Sequence, residues 1–148
     1  MLSLLVVVGV AAFALVALMV GLQYLIRRRV RALIGKPAPR VPGTLGRHIV
    51  RGQEVLVYFH SPGCAACRAW TPHMIDLSRR HSRVCVVDVS RELELARSFG
   101  VMATPSCVHV MDGRIADYRV GAIPSELLVR FEATQSGTRA RRATAAAD

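Results

Sequence analysis

No acidic residue occurs before Glu54, and no charged side chain of either sign lies between Leu2 and Ile26. Aromatic residues make up only 5% of the 148-residue chain, and there are four cysteines. Each scarcity excludes something. Four cysteines are too few for a disulfide-stapled scaffold, and only Cys64 and Cys67 are close neighbours. A second closely spaced pair is missing, so a four-ligand zinc site has no evident ligand set and no metal is expected. The basic stretches lack interleaved aromatics, which argues against nucleic acid as a partner. Internal repeats are absent as well.

What is abundant is arginine. The net charge is +10, and Lys36 is the only lysine among 20 basic residues. Arg27, Arg28, Arg29 and Arg31 follow the uncharged run directly, and Arg139, Arg141 and Arg142 lie in the tail. Lipid headgroups account well for charge in such positions. The run itself, at about 1.5 Å per residue, would extend about 37 Å, more than the ~30 Å hydrocarbon core of a bilayer. A cleaved signal peptide or a buried core helix would be alternatives. The run is too long for the first, and Ala12-Phe13-Ala14 lies inside it rather than after it. Residues 2–26 are therefore expected to be a single-pass membrane anchor in contact with lipid. The arginine flank predicts a cytoplasmic domain, with a periplasmic or other extracytoplasmic placement as the alternative.

Residues 27–40 carry Gly35, Pro37 and Pro39 and read as a stiff basic linker, with a short edge strand expected around Arg40–Val41. Thr44–Arg51 predicts a short helix ended by Gly52. In Glu54–His60 the apolar residues Val55 to Phe59 are unbroken, the pattern of a strand buried on both faces. A helix is expected to follow Cys64, with Cys67, Trp70, Met74 and Leu77 forming one apolar stripe and Pro72 kinking it. Val84–Val89 predicts a second strand. Ser90 is expected to cap a helix that carries Glu92 and Glu94 in its first turn and closes at Gly100. A third strand spans Val101–Asp112, Asp112-Gly113 turns a hairpin into Ile115–Val120, and a last helix covers Ser125–Ala133 with Leu128 and Phe131 inward. Residues 135–148 read as a disordered basic tail. The first two strands, joined by a helix, should be parallel, and the hairpin should add an antiparallel edge. The fold class is α/β: one mixed sheet with helices on both faces, occupying residues 41–134.

On that scaffold Cys64 falls at a strand-to-helix junction, where free N–H groups and the helix dipole favour an anion. Its thiol should ionise below the ~8.5 of free cysteine. Cys67, one turn on, should be buried and slow to ionise. One accessible thiolate beside one shielded thiol is what disulfide exchange requires: Cys64 as nucleophile, Cys67 as the resolving thiol. Cys85 and Cys107 are expected to be small buried apolar residues.

Phe59, Cys64-Ala65-Ala66-Cys67 and Pro72 resemble the active-site strand and following helix of thioredoxin. Thr104-Pro105 resembles the family's cis-proline site, and Asp112-Gly113 and Val120-Gly121-Ala122 its hairpin turn and last-strand glycine. The likeness covers residues 41–134. It implies a thioredoxin-like three-layer fold, a cis Thr104–Pro105 bond, and a substrate segment paired beside Thr104 and Pro105. It also implies a protein-disulfide oxidoreductase with disulfide-containing clients and an upstream thiol reductant. No cofactor beyond the redox-active Cys64–Cys67 disulfide is implied, and a monomer is expected. The chain departs from the family in three places. Tyr58 stands where thioredoxins usually carry a buried Asp, Gly63 and His60 replace two tryptophans, and Ala65-Ala66 differs from Gly-Pro. His60 is a candidate for tuning the Cys64 thiolate, the plainer expectation being a packed or solvated histidine. A CxxC metal-handling or metalloenzyme-assembly module is the alternative function.

Overall fold

The computed structural model describes residues 2–121 together with 128, 129 and 133. The expected tail and most of the expected last helix, Phe131 included, lie outside these residues. A long helix, α1 (Leu2–Arg31), leads into α2 (Gly43–Val50) and β1 (Val55–His60). A 3-10 turn (Ala65–Ala69), α3 (Thr71–Arg80), β2 (Val84–Asp88) and α4 (Leu93–Ser98) follow, and then the hairpin β3 (Ser106–Met111) and β4 (Arg114–Val120). The strand order is β2-β1-β3-β4. β1 runs parallel to β2 and antiparallel to β3, and β3 is antiparallel to β4. This is the mixed sheet that the order of elements predicts, with the arrangement that the resemblance to thioredoxin implies.

β1 shows why its apolar run does not alternate. Val55, Val57 and Phe59 face a cluster with Ile49 of α2 and Ala96 and Phe99 of the α4 region. Leu56 and Tyr58 face the other way, into a cluster with Met74 and Leu77 of α3 and with Leu128. Both faces are covered, so every second residue can be apolar on each. Phe59 and Phe99 meet in a tilted arrangement with ring centroids 5.5 Å apart, and burying each ring contributes roughly 1.5–3 kcal/mol. Asp112 (φ 51°) and Gly113 (φ 70°) supply the two left-handed residues that a tight hairpin between twisted strands demands.

Four expectations are corrected. α1 does not stop at Ile26 but continues through Arg31, since arginine is a good helix former and its charge is favourable in a last turn. The segment after it does pair at the edge of the sheet, but at a different place from the one expected. Pro37 bridges Arg114, Gly35 N–H donates to the Ile115 carbonyl (2.8 Å), and Ala38 N–H donates to the Gly113 carbonyl (2.8 Å). The edge pairing thus falls at residues 35–38 and not at Arg40–Val41, because Val41 turns inward against the core to start α2. Pro72 does not kink one continuous helix. It occupies the first turn of α3, where its missing N–H costs nothing, and the cysteines lie in a separate 3-10 turn. Ser90 does not cap α4. Its N–H and hydroxyl both donate to Asp88 Oδ1 (2.9 and 2.6 Å), which holds the Asp88 carboxyl below its usual range, and Glu92 occupies the cap position.

The entry to α2 is closely packed. A Cβ added at Gly46 would meet the Val41 carbonyl oxygen at 1.7 Å, so the backbone itself would have to move. Gly46→Ala is expected to lower unfolding free energy by about 1–3 kcal/mol. Urea unfolding of the purified protein measures this, and an unchanged midpoint would contradict the packing described.

Candidate active site

β1 ends at His60, and the chain leaves the sheet through Ser61-Pro62-Gly63 to reach Cys64. The Cys64 N–H donates to the Ser61 carbonyl (3.1 Å) and closes that turn. Cys64 caps the 3-10 turn in extended geometry (φ −81°, ψ 110°), its sulfur accepting from the Cys67 N–H at 3.2 Å. The two sulfurs are joined as a disulfide, with Cα atoms 5.3 Å apart. Cys64 is half-buried, whereas Cys67 is 2% exposed and lies under the site. The expected asymmetry of accessible and shielded sulfur is therefore present. Its cause is more local than a helix dipole, since the turn is only five residues long and a single N–H reaches the sulfur.

The Thr104–Pro105 bond is cis. The Thr104 carbonyl oxygen lies 3.4 Å from the Cys64 sulfur, close enough to accept an S–H once the disulfide is reduced. The Pro105 carbonyl accepts from the Gly121 N–H at 2.8 Å. Three separated stretches, 64–67, 104–105 and 121, thus meet at one end of the sheet. His60 is on that end but makes no hydrogen bond to Cys64 among the described residues. It stacks on Tyr58, with ring centroids 5.9 Å apart and planes 12° apart, and is in register with Asp88 of β2.

Tyr58 has a role that its position in the sequence did not reveal. Its ring is fully buried, and its hydroxyl lies 3.1 Å from Thr71 Oγ1. The Thr71 hydroxyl donates to the Cys67 carbonyl at 2.8 Å, so its proton is committed and Tyr58 must be the donor to Thr71. Burial pushes the Tyr58 hydroxyl up, although the bond to Thr71 partly offsets this. A neutral chain of two hydroxyls therefore supports the Cys67 peptide. Thr71 was missed because a threonine before Pro72 reads as a helix-start residue and nothing more. His109 is buried with Nε2 2.8 Å from Glu54 Oε1. It belongs to the opposite end of the sheet. Cys107 is buried as expected, but Cys85 is only half-buried, beside Val41 and Leu45.

A mixed sheet with a CxxC disulfide at the end of its central strand, facing a cis-proline loop, defines a thioredoxin-like domain. The thioredoxin family model matches residues 44–133, and the chain belongs to that family. It is 37% identical over 78 residues to putative thioredoxin H10 of Arabidopsis thaliana, a match covering 51% of each chain. It is 30% identical over 77 residues to the thioredoxin of Bacillus subtilis (strain 168), covering 50% of this chain and 74% of that one. The crystal structure of a poplar wild-type thioredoxin h, PtTrxh4, superposes with a TM-score of 0.50 at 29% identity, over 62% of this chain and 84% of that one. The chain thus spans only about half the length of the Arabidopsis relative.

Two outcomes follow from the buried hydroxyls and thiol. Thr71→Val leaves the Tyr58 hydroxyl and the Cys67 carbonyl without their partner and should cost about 1–3 kcal/mol for each unsatisfied group. Thr71→Ser should restore most of the loss in urea unfolding. The second outcome concerns pH. Burial pushes the Cys107 thiol from 9.0 up to about 12, helped by the Asp117 carboxylate, and burial pushes Tyr118 from 10.0 up to about 12. As pH rises past 9 the unfolded chain releases these protons while the folded chain retains them, so stability falls between about pH 9 and 12. The urea midpoint should decline across that window, and Cys107→Ala should decline less steeply.

Proposed function

We propose that this protein is a membrane-anchored thiol–disulfide oxidoreductase that reduces or exchanges disulfides in protein clients through Cys64 and Cys67. The observation that carries the reading is the pairing of a half-exposed and a buried sulfur in one turn, with the Thr104 carbonyl 3.4 Å from the outer sulfur. From the dithiol form, the Cys64 thiolate attacks one sulfur of a client disulfide. The client's other sulfur leaves as a thiolate and takes a proton from solvent. Cys67 then loses its proton and attacks the Cys64 sulfur, which releases the second client thiol and forms the Cys64–Cys67 disulfide. Two electrons pass from the dithiol to the client, and an upstream thiol reductant returns them. The client segment lies extended beside Thr104 and Pro105.

The anchor reading is supported by Val6–Arg31, a helical stretch with mean hydropathy 2.5 of which none is buried against the domain in its most apolar window. The arginines at its end favour a cytoplasmic domain, in which a reducing role suits the compartment. For the metal-handling alternative, no group of three or more His, Cys, Asp or Glu side chains stands together among the described residues. The exchange reading is the better supported.

Insulin reduction driven by dithiothreitol tests the reading. Cys64→Ser should abolish it, whereas Cys67→Ser should keep the first attack and accumulate a mixed disulfide that non-reducing gels resolve. Undiminished turnover in Cys64→Ser would refute the mechanism. Labelling the 35–42 segment from each side of sealed vesicles reads out sidedness.

A further inference from the structure

The end of α1 is fastened along the outer edge of β4, and the fastening fixes which end of the domain the helix leaves from. Gly35 N–H donates to the Ile115 carbonyl (2.8 Å), Ile115 N–H donates to the Lys36 carbonyl (2.9 Å), and the Arg114 guanidinium donates to the Gly35 carbonyl (2.9 Å). Leu33 packs against Gly100, and both Val30 and Leu33 lean on the buried cluster. Back from Gly35 the chain runs beside β4 in the opposite sense. Between them lies a cavity of about 490 Å³, lined by Ile26, Arg27, Val30 and Arg31 on one side and by residues up to Val120 on the other. Ile26, near the end of α1, and Val120, at the end of β4, line this same cavity, so the two lie at about the same level.

That level is the level of the dithiol. Val120 is paired with Ser106, and Ser106 with Phe59, so the three residues form one row across the sheet. Adjacent strands are about 4.8 Å apart, which places Phe59 about 10 Å from Val120. Cys64 follows Phe59 by five residues, and Gly121, next to Val120, bonds the Pro105 carbonyl. Ile26 is also where the uncharged run ends and the arginines begin. If α1 spans a bilayer, Arg27 lies among the headgroups, and the dithiol end of the sheet faces the membrane. The His109–Glu54 end faces away. The surface around the outer sulfur suits such a setting: Pro62, Gly63, Ala65 and Ala66 are exposed, small and uncharged, and Met102 near the facing loop is 54% exposed.

We propose that the active site is held facing the bilayer and that its substrates are disulfides in membrane-protein segments close to the headgroups, in preference to disulfides of soluble proteins. This rests on the anchored-oxidoreductase reading and adds to it a substrate class. The chemistry is the exchange written above, with the client disulfide reduced and the dithiol oxidised.

Trp70, the only tryptophan in the chain, lies at the dithiol end, its backbone N–H donating to the Cys67 carbonyl. The full chain in bilayer nanodiscs with nitroxide-labelled headgroups provides the test. Met111, at the far end of β3, is separated from the dithiol end by about 17 Å of strand. Trp70 emission should be quenched about two-fold more than that of a Trp70→Phe/Met111→Trp variant, given that length. Equal quenching, stronger quenching at position 111, or none at either overturns the proposal, and insulin reduction through Cys64 would survive all three results. A second arm is independent of the new tryptophan. A co-reconstituted single-span peptide should have a disulfide next to its headgroup end reduced about ten-fold faster than one beyond a long Pro-rich spacer, as tethering raises effective concentration. Inserting about a dozen Gly and Ser residues between Arg31 and Ala32 should erase the preference by freeing the domain. A near-to-far ratio of one in the parent chain overturns the proposal.

Discussion

The burial of β1 on both faces is the constraint from which the rest of the structure follows. A strand covered on one side by α2 and α4 and on the other by α3 cannot slide or slip register without exposing an entire apolar face. Its end is therefore a fixed point, and the chain that leaves it must turn within Ser61-Pro62-Gly63 before α3 can pack back on the sheet. Cys64 and Cys67 occupy that turn. Cys64 stays half-buried at the start of the 3-10 turn while Cys67, at its middle, is 2% exposed, so the turn itself divides a reachable from a sheltered sulfur. The loop at Thr104–Pro105 reaches the site because β3 pairs with β1 and starts where β1 ends.

The interior behind Cys67 is distinctive in its chemistry. Hydroxyls, not a carboxylate, support its peptide, with Tyr58 donating to Thr71 and Thr71 to the Cys67 carbonyl. A buried carboxylate would impose a large desolvation cost and would titrate, whereas two satisfied hydroxyls carry no charge. In the exchange proposed above, Cys67 would therefore pass its proton to something other than the residue at position 58, a difference confined to the second step.

The segment joining α1 to the domain contributes more than length. By pairing with Arg114 and Ile115 it covers part of the exposed edge of β4, an arrangement that protects a sheet from unwanted pairing. It also converts a flexible tether into a stated geometry between helix and sheet. A linker rich in proline and glycine would ordinarily be read as a spacer. Here its backbone groups found partners on the strand, and its apolar residues, Ala38 and Val41, found the core.

Most of the scaffold was legible in the residues themselves. The unbroken run Val55–Phe59, the Asp112-Gly113 turn and the order of strands and helices depend on periodicity and local backbone preference, which are properties of neighbouring residues. The dithiol was legible for the same reason, since its members are three positions apart. What depended on contacts between more distant residues was not: the edge taken by residues 35–38, the Tyr58–Thr71–Cys67 chain and the His109–Glu54 pair. Local competition hid the break at Trp70 and the Asp88–Ser90 turn, because a proline or serine there fits either of two short structures. The sequence by itself determined which elements form and where the sulfurs stand along the chain. Only the tertiary structure decided what each buried polar group bonds to and which end of the sheet the long helix leaves from, because hydrogen-bond partners 50 to 80 residues apart are chosen by how the layers pack.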